Sequence, residues 1–357
     1  MSSTTHDSIT EYANGVEVDP RVKEKVPKFD APFFQAGLAG YSDGAMRLVA
    51  REHGCPFCVT EALLDTTLIN GGKGRRRENP DILEQESETT ENTLRDHPIA
   101  GQIIGTTPRE MAEGATILVS MGYDTIDVNL ACPVKKIRRR NRGGHFLGAP
   151  NEAIEILAAV REVVPFSIPT TMKLRRGFDD SEESRANFYT IFDSALDLNY
   201  AWSTVHARSV KQKYEGSSRW SFLKELVQSR PEAIIFGSGD IWCAEDIFRM
   251  MQQTGVHGVS VARGCIGNPW IFTQARALMK GEEPRDPIIS EQRTAMLRHF
   301  ELCTNLHGEQ AASRMMRKFG IRFSQYHPNP KTVRKHFISV RSAKQWRDVL
   351  DTYYCVS

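Results

Sequence analysis

The sequence predicts an α/β fold, a (β/α)₈ TIM barrel followed by a smaller all-helical domain. Three observations carry that expectation. Short runs rich in β-branched and aromatic residues alternate with helix-period stretches from Ala31 to about Lys280, as in a parallel sheet covered by helices. Eight such runs are present, the number that closes a barrel. After Gly281 the strand runs stop, and Pro284 and Pro287 mark a linker into purely helical spacing.

In chain order, strands are predicted at Phe33 to Ala36, Phe57 to Thr60, Ile99 to Ile104, Thr125 to Asn129, Thr170 to Leu174, Ser203 to His206, Ala233 to Phe236 and Gly258 to Ala262. Between them, Pro108 to Met121, Asn151 to Val163 and Ala244 to Thr254 carry apolar residues three and four apart. Thr106 and Thr107 before Pro108, and Pro150 before Asn151, are helix-start signals. A doubly wound open sheet matches the same alternation, but Gly37-Leu38-Ala39-Gly40 after the first strand lacks the Rossmann fingerprint. In the tail, helices are predicted at Glu291 to Leu306, Gln310 to Phe319 and Ser342 to Tyr353. The chain thus divides into a loose N-terminal tail at 1–27, a barrel at 28–283 and a helical domain at 284–357. The run Gly71-Gly72-Lys73-Gly74-Arg75-Arg76-Arg77 is expected as an exposed loop after the second strand.

Composition narrows the function. A mean hydropathy of -0.41, with no run near the ~18 apolar residues that cross a bilayer, argues against a membrane role. The opening residues lack the layout of a signal peptide, so a cytoplasmic location is expected. Seven irregularly spaced cysteines fit a reducing compartment. Cys55-Pro56-Phe57-Cys58 has CxxC spacing, but no second Cys/His pair completes a zinc site; it is read as structural, and no metal is expected. Net charge is only +2, yet Arg285 to Ser357 holds thirteen Lys and Arg against six Asp and Glu. A basic tail on a mildly acidic body suits a polyanionic partner.

Barrel chemistry sits at the C-terminal ends of the strands, and unusual residues fall there. Gln102 lies on the third strand, Asn129-Leu130-Ala131-Cys132-Pro133 follows the fourth, Lys173 ends the fifth, and His206-Ala207-Arg208 ends the sixth. Gly237-Ser238-Gly239-Asp240 and Ala262-Arg263-Gly264 follow the last two strands, where barrels often hold a phosphate on backbone amides; the same glycines also suit simple tight turns. Lys173 on a buried strand calls for an anionic partner or an escape to solvent. Six cations follow Cys132 within eight residues: Lys135, Lys136, Arg138, Arg139, Arg140 and Arg142. They would attract a phosphodiester backbone, although a solvated loop has the same composition. Asp43 and Glu61, near strand ends, suit orientation of backbone or ligand as well as plain loop packing.

Taken in order, these segments resemble the tRNA-dihydrouridine synthase family. The matching pieces are Ala36-Gly37 with Tyr41-Ser42-Asp43 and Arg47, Gln102-Ile103 with Gly105, Asp127 to Pro133 with Lys135-Lys136, Met172 to Arg175, His206 to Ser209, Gly239-Asp240-Ile241, and Arg263-Gly264 with Gly267-Asn268-Pro269-Trp270. The resemblance implies FMN at the barrel mouth, held by Gln102, Lys173, His206, Gly239, Asp240, Arg263 and Gly264. It implies NADPH as electron donor, hydride delivery to C6 of a flipped uracil, and protonation of C5 by Cys132. A thiol suits that step, since an ordinary pKa of ~8.5 keeps it protonated near neutrality. Asn129, Arg208, Lys135, Lys136, Arg138, Arg139, Arg140, Arg317, Lys318, Arg334 and Lys335 are then expected to meet tRNA or another structured RNA, with the protein acting as a monomer. Two alternatives stand beside this: an FMN barrel reductase of a free pyrimidine or other small molecule, and a catalytically silent RNA-binding protein.

Overall fold

The computed structural model describes residues 3–70 and 96–355. The basic run at 71–77 lies outside the described residues. The strands are β1 (Phe33–Gln35), β2 (Cys58–Val59), β3 (Leu63–Leu64), β4 (Ile99–Ile104), β5 (Thr125–Asn129), β6 (Thr170–Arg175), β7 (Trp202–His206), β8 (Ile235–Ser238) and β9 (Gly258–Val261). All pair in parallel, and the ring closes because β1 bonds to both β2 and β9 while β4 bonds to β2, β3 and β5. β2 and β3 are two halves of one barrel strand: Val59 pairs with Ala100 and Leu63 with Ile103. Thr60, Glu61 and Ala62 therefore oppose only Gly101 and Gln102, which makes a one-residue bulge at the rim.

The barrel is an eight-stranded TIM barrel as predicted, with two local differences. The second strand is broken by the bulge. The strand predicted at Ala233 to Phe236 is displaced to Ile235–Ser238, so Gly237 lies within it rather than in the following turn. Packing explains the shift, since a Cβ on Gly237 would fall 2.4 Å from Met250 Sδ. No side chain fits there, and the helix Ala244–Thr254 closes directly on the strand.

Strand alternation sorts the interior into layers. Phe34, Val59, Ala100, Trp202 and Phe236 fill the N-terminal end, and Val18, Val22, Val26 and Phe29 plug it from below. Phe29 stacks on Phe57 at 4.8 Å between centroids. From Ser3 onward the stretch 1–27 is thus not the loose tail expected. It forms α1 (Ser3–Ala13) and α2 (Pro20–Lys25), and it buries Ile9 and Ala13 as well as the plug. Its apolar residues are too widely spaced to register as an element, and only the open barrel end gives them a place.

Helices α3 (Gly44–Glu52), α4 (Asp65–Ile69), α5 (Pro108–Ser120), α6 (Lys135–Arg138), α7 (Pro150–Val163), α8 (Glu182–Asp197), α9 (Trp220–Ser229), α10 (Ala244–Thr254) and α11 (Trp270–Met279) cover or cap the barrel. Beyond it come α12 (Ile289–His307), α13 (Glu309–Phe323), α14 (Pro330–Ser339) and α15 (Ala343–Tyr353). These dock on the barrel through apolar and ionic contacts: Trp270 meets Phe323 edge-on at 5.7 Å, Tyr41 meets Phe319 at 5.6 Å, and Arg298 bonds Glu52 at 3.1 Å. Among the described residues no helix is long and apolar enough to cross a membrane.

Candidate active site

The same alternation that packs the barrel floor brings polar side chains to its rim. Register pairs Gln102 with Asp127, Asn129 with Lys173, Arg175 with His206, and His206 with Ser238. Above the aromatic layer the interior is therefore polar, and it opens into a cavity at the barrel mouth. Gln102, Asn129, Cys132, Lys173, His206, Gly239, Asp240 and Arg263 all line it. The cavity thus unites residues predicted on or just after six different strands.

A buried relay holds the floor. Thr171 Oγ1 and Gln102 Nε2 donate to Asp127 at 2.7 and 2.8 Å, and Asn129 Nδ2 donates to Gln102 Oε1 at 2.6 Å. Asn129 Oδ1 accepts the amides of Ala131 and Cys132 at 3.0 and 3.2 Å. Both ends of the Asn129 amide are thereby taken up, the nitrogen by Gln102 and the oxygen by the cysteine turn. Arg175 fastens the turn from the other side, donating from Nε to Ala131 O at 3.0 Å. Sequence reasoning quoted Arg175 without giving it a role, and its inward position follows from sharing a strand face with Lys173.

Electrostatics make the cavity anion-seeking. Lys173 is partly buried in the cavity wall, and burial with the nearby Arg175 charge lowers its pKa to about 8. Burial lowers Arg175 to about 10. Burial, joined by the charges of Arg175, Lys173, Arg208 and Arg263, holds His206 well below its usual value, hence neutral. Burial pushes the Cys132 thiol up, against the Val134 amide and the Arg175 and Lys173 charges, so it remains a thiol at neutral pH. The other six cysteines lie elsewhere in the fold.

The turns after β8 and β9 build one wall. A Cβ on Gly239, whose φ is +113°, would fall 2.4 Å from Ser218 Oγ, and one on Gly264 would fall 2.2 Å from Ile241 O. Arg263 is half-exposed at the mouth, with its guanidinium 4.9 Å from the Tyr214 ring centre and 4.7 Å from that of Trp242. Neither aromatic was singled out in the sequence, since both stand on irregular loops. Asp240 turns to Arg208, which bonds both carboxylate oxygens at 2.8 Å. Arg208, expected at the RNA surface, is instead 3% exposed and also holds Gly216 O, so it braces the 209–219 loop.

The basic loop after Cys132 divides in two. Lys135, Lys136, Arg139 and Arg140 are exposed, and Arg138 lies partly over Phe178 at 5.5 Å. Arg142 turns inward, donating to Thr106 Oγ1 at 2.7 Å and standing 3.6 Å from Asp65. In the helical part, Arg317, Arg334 and Lys335 are exposed, while Lys318 is half-buried over the Tyr41 ring at 4.2 Å. α13 reaches the rim, where a Cβ on Gly267 would fall 2.6 Å from Arg322 Cβ and the Arg322 charge acts on Arg263. Arg334 and Lys335 belong to α14, which packs on α13 and α15.

Fold and site together define a TIM-barrel enzyme whose mouth sets a thiol beside the cationic side chains of Lys173 and Arg175. The chain belongs to the dihydrouridine synthase family, whose model matches residues 34–354, and it is an oxidoreductase of that family. It is 32% identical over 301 residues to a probable tRNA-dihydrouridine synthase of Treponema pallidum (strain Nichols), covering 82% of this chain and 83% of that one. It is 27% identical over 327 residues to tRNA-dihydrouridine synthase B of Pasteurella multocida (strain Pm70), covering 90% and 92%. Among solved structures, TcOYE with pHBA shares the fold at a TM-score of 0.53 and 10% identity, over 75% of this chain and 95% of that one. Histamine dehydrogenase from Rhizobium sp. 4-9 does so at 0.55 and 14%, over 82% and 51%.

Proposed function

We propose that this oxidoreductase reduces uridine to 5,6-dihydrouridine in folded RNA, tRNA above all, with FMN as cofactor, NADPH as electron donor and Cys132 as proton donor. One observation carries the proposal: Cys132 is the cysteine that lines the cavity, held as a thiol beside Lys173 and Arg175. The names of the relatives above support the RNA substrate.

The residues present fit FMN. Lys173, Arg175 and Arg263 face one cavity in which, among the described residues, Asp240 is the single lining carboxylate, an excess suited to an anionic ligand. Gly239 and Gly264, where a Cβ would collide with the wall, leave backbone free to meet a phosphate, and Arg263 adds a charge-assisted grip. FMN, when bound, supplies the hydride. Lys173 supplies fixed positive charge against the ring system, Gln102 offers it a side chain anchored by Asp127, and His206 offers a neutral imidazole. Cys132 holds a proton on Sγ for the substrate carbon, and the Asn129 and Arg175 bonds to its turn fix where that proton points. Asp240 acts at one remove by orienting Arg208 and Arg263.

A base inside a stacked fold is out of reach, so the surrounding backbone must be gripped firmly enough to offset a few kcal/mol of unstacking. Lys135, Lys136, Arg138, Arg139 and Arg140 at the rim, with Arg317, Lys318, Arg334 and Lys335 in the helical domain at 284–357, are proposed for that grip. The test is incubation with NADPH and tRNA lacking dihydrouridine, followed by mass-spectrometric mapping. Dihydrouridine in the tRNA and none from free uridine is the expected result. Equal reduction of the free nucleoside would instead favour a small-molecule reductase.

A further inference from the structure

Away from the cavity, the turn after β1 meets α12 at a second cluster of chemically active side chains. Asp43 caps α3, and its Oδ1 accepts the Met46 amide at 3.0 Å. Its Oδ2 faces His307 Nε2 at 2.9 Å. Cys303 lies one helical turn before His307, so both project from the same face of α12. The carboxylate oxygen, the thiol sulfur and the imidazole nitrogen all lie within 4.8 Å of one another. His299, a further turn back on that face, is 2% exposed, its Nε2 has no hydrogen-bond partner, and it feels the Asp43 charge.

We propose that Asp43, Cys303 and His307 bind a divalent transition-metal ion of the zinc type as three protein ligands, with water in the fourth position. One carboxylate oxygen, one sulfur and one nitrogen, with a water, form a donor set that such an ion accepts in tetrahedral geometry. Calcium and magnesium prefer several oxygen ligands, and here there is one carboxylate. Metal–ligand bonds of about 2.0–2.3 Å would draw the donor atoms to roughly 3.3–3.6 Å apart, a movement within reach of side-chain rotation. On binding, the Cys303 thiol releases one proton to solvent and His307 carries its proton on Nδ1, leaving Nε2 to the metal. The two positive charges of the ion are then balanced by one carboxylate and one thiolate. Lys318 and Glu61 stand nearby with opposite charges, and Glu61 accepts the Gly40 amide at 2.8 Å.

The site would have a structural consequence. Leu38 and Ala39, which line the cavity, belong to the same turn as Asp43, and that turn is stapled by Leu38 N donating to Ser42 Oγ at 2.7 Å. A metal there would clamp the cavity lip to the helical domain. The sequence concealed it, since Asp43 is remote along the chain from the α12 residues.

The test uses untagged full-length protein with its flavin, kept reduced, stripped with a chelator and titrated with Zn²⁺ against a chromophoric competitor. Co²⁺ serves as a spectroscopic substitute, read as a cobalt-minus-zinc difference. One equivalent per chain, tetrahedral d–d bands and a thiolate-to-cobalt charge-transfer band are expected. Cys303→Ser should lose the charge-transfer band and His307→Gln the stoichiometric binding, while Cys243→Ser, at an exposed thiol, keeps both. Circular dichroism establishes that each variant is folded. Absence of binding to the unmutated protein, or an unchanged cobalt band in folded Cys303→Ser, overturns the proposal, and neither outcome bears on RNA reduction.

Discussion

The Gly144 amide donates to the Cys132 carbonyl at 3.0 Å, pinning together the two ends of the basic loop that lies between them. Beside this bond Gly143 has a φ of +56°, and a Cβ there would fall 2.8 Å from Cys132 Cβ. The loop that would meet RNA and the thiol that would deliver the proton therefore share one anchor. Gly143→Ala should displace the thiol and slow dihydrouridine formation while flavin content stays normal. Single-turnover assays on tRNA beside flavin absorbance would show it, and normal turnover would break the link.

Removing the thiol isolates its chemistry. Cys132→Ala should lower product formation by about 10²- to 10⁴-fold, the usual contribution of a general acid, with NADPH oxidation nearly unchanged. Full product yield in a single turnover would exclude Cys132 as proton donor.

Lys173 should impose a pH dependence on cofactor binding. With its pKa lowered to about 8, it is charged below that pH and loses its charge as pH rises through it. An anionic ligand favours the charged form, so FMN affinity should be full below about 8 and fall above it, by at most about tenfold per pH unit for one linked proton. Lys173→Met should bind weakly with a flat profile across that range. Fluorescence titration of flavin between neutral and alkaline pH would decide, and an unchanged slope in the variant would place the proton elsewhere.

Stability should depend on Asp96. Its carboxylate is fully buried against Arg47 at 2.8 Å, and Arg51 donates to it at 3.4 Å. Asp96→Ala leaves buried guanidinium charge uncompensated, which costs about 3–5 kcal/mol in such settings. Urea denaturation should show that loss without a change in cavity chemistry.

The exposed and inward arginines of the basic loop should behave differently. Arg139→Ala and Arg140→Ala should each weaken RNA binding and reduce the salt slope by up to about one, with little change in the base selected. Arg142→Ala should instead loosen the loop, because its guanidinium holds Thr106 at 2.7 Å and faces Asp65. Binding isotherms at several salt concentrations separate the two effects.

The sequence by itself determined the barrel, its rim residues and its family. Each of these is local: period-two alternation names the inward stripe on a strand, and Asn129 to Pro133, Lys173 and Arg263-Gly264 sit where strands end. What it left open depends on residues far apart in the chain. Arg208 has the sequence of a surface arginine and is buried because Asp240 lies opposite it. The first residues resemble a loose tail and become a plug because the barrel end needs apolar side chains. Asp43 and His307 meet only when the helical domain docks. Burial and charge pairing are properties of the assembled neighbourhood, and spacing along one segment carries no record of what the fold brings against it.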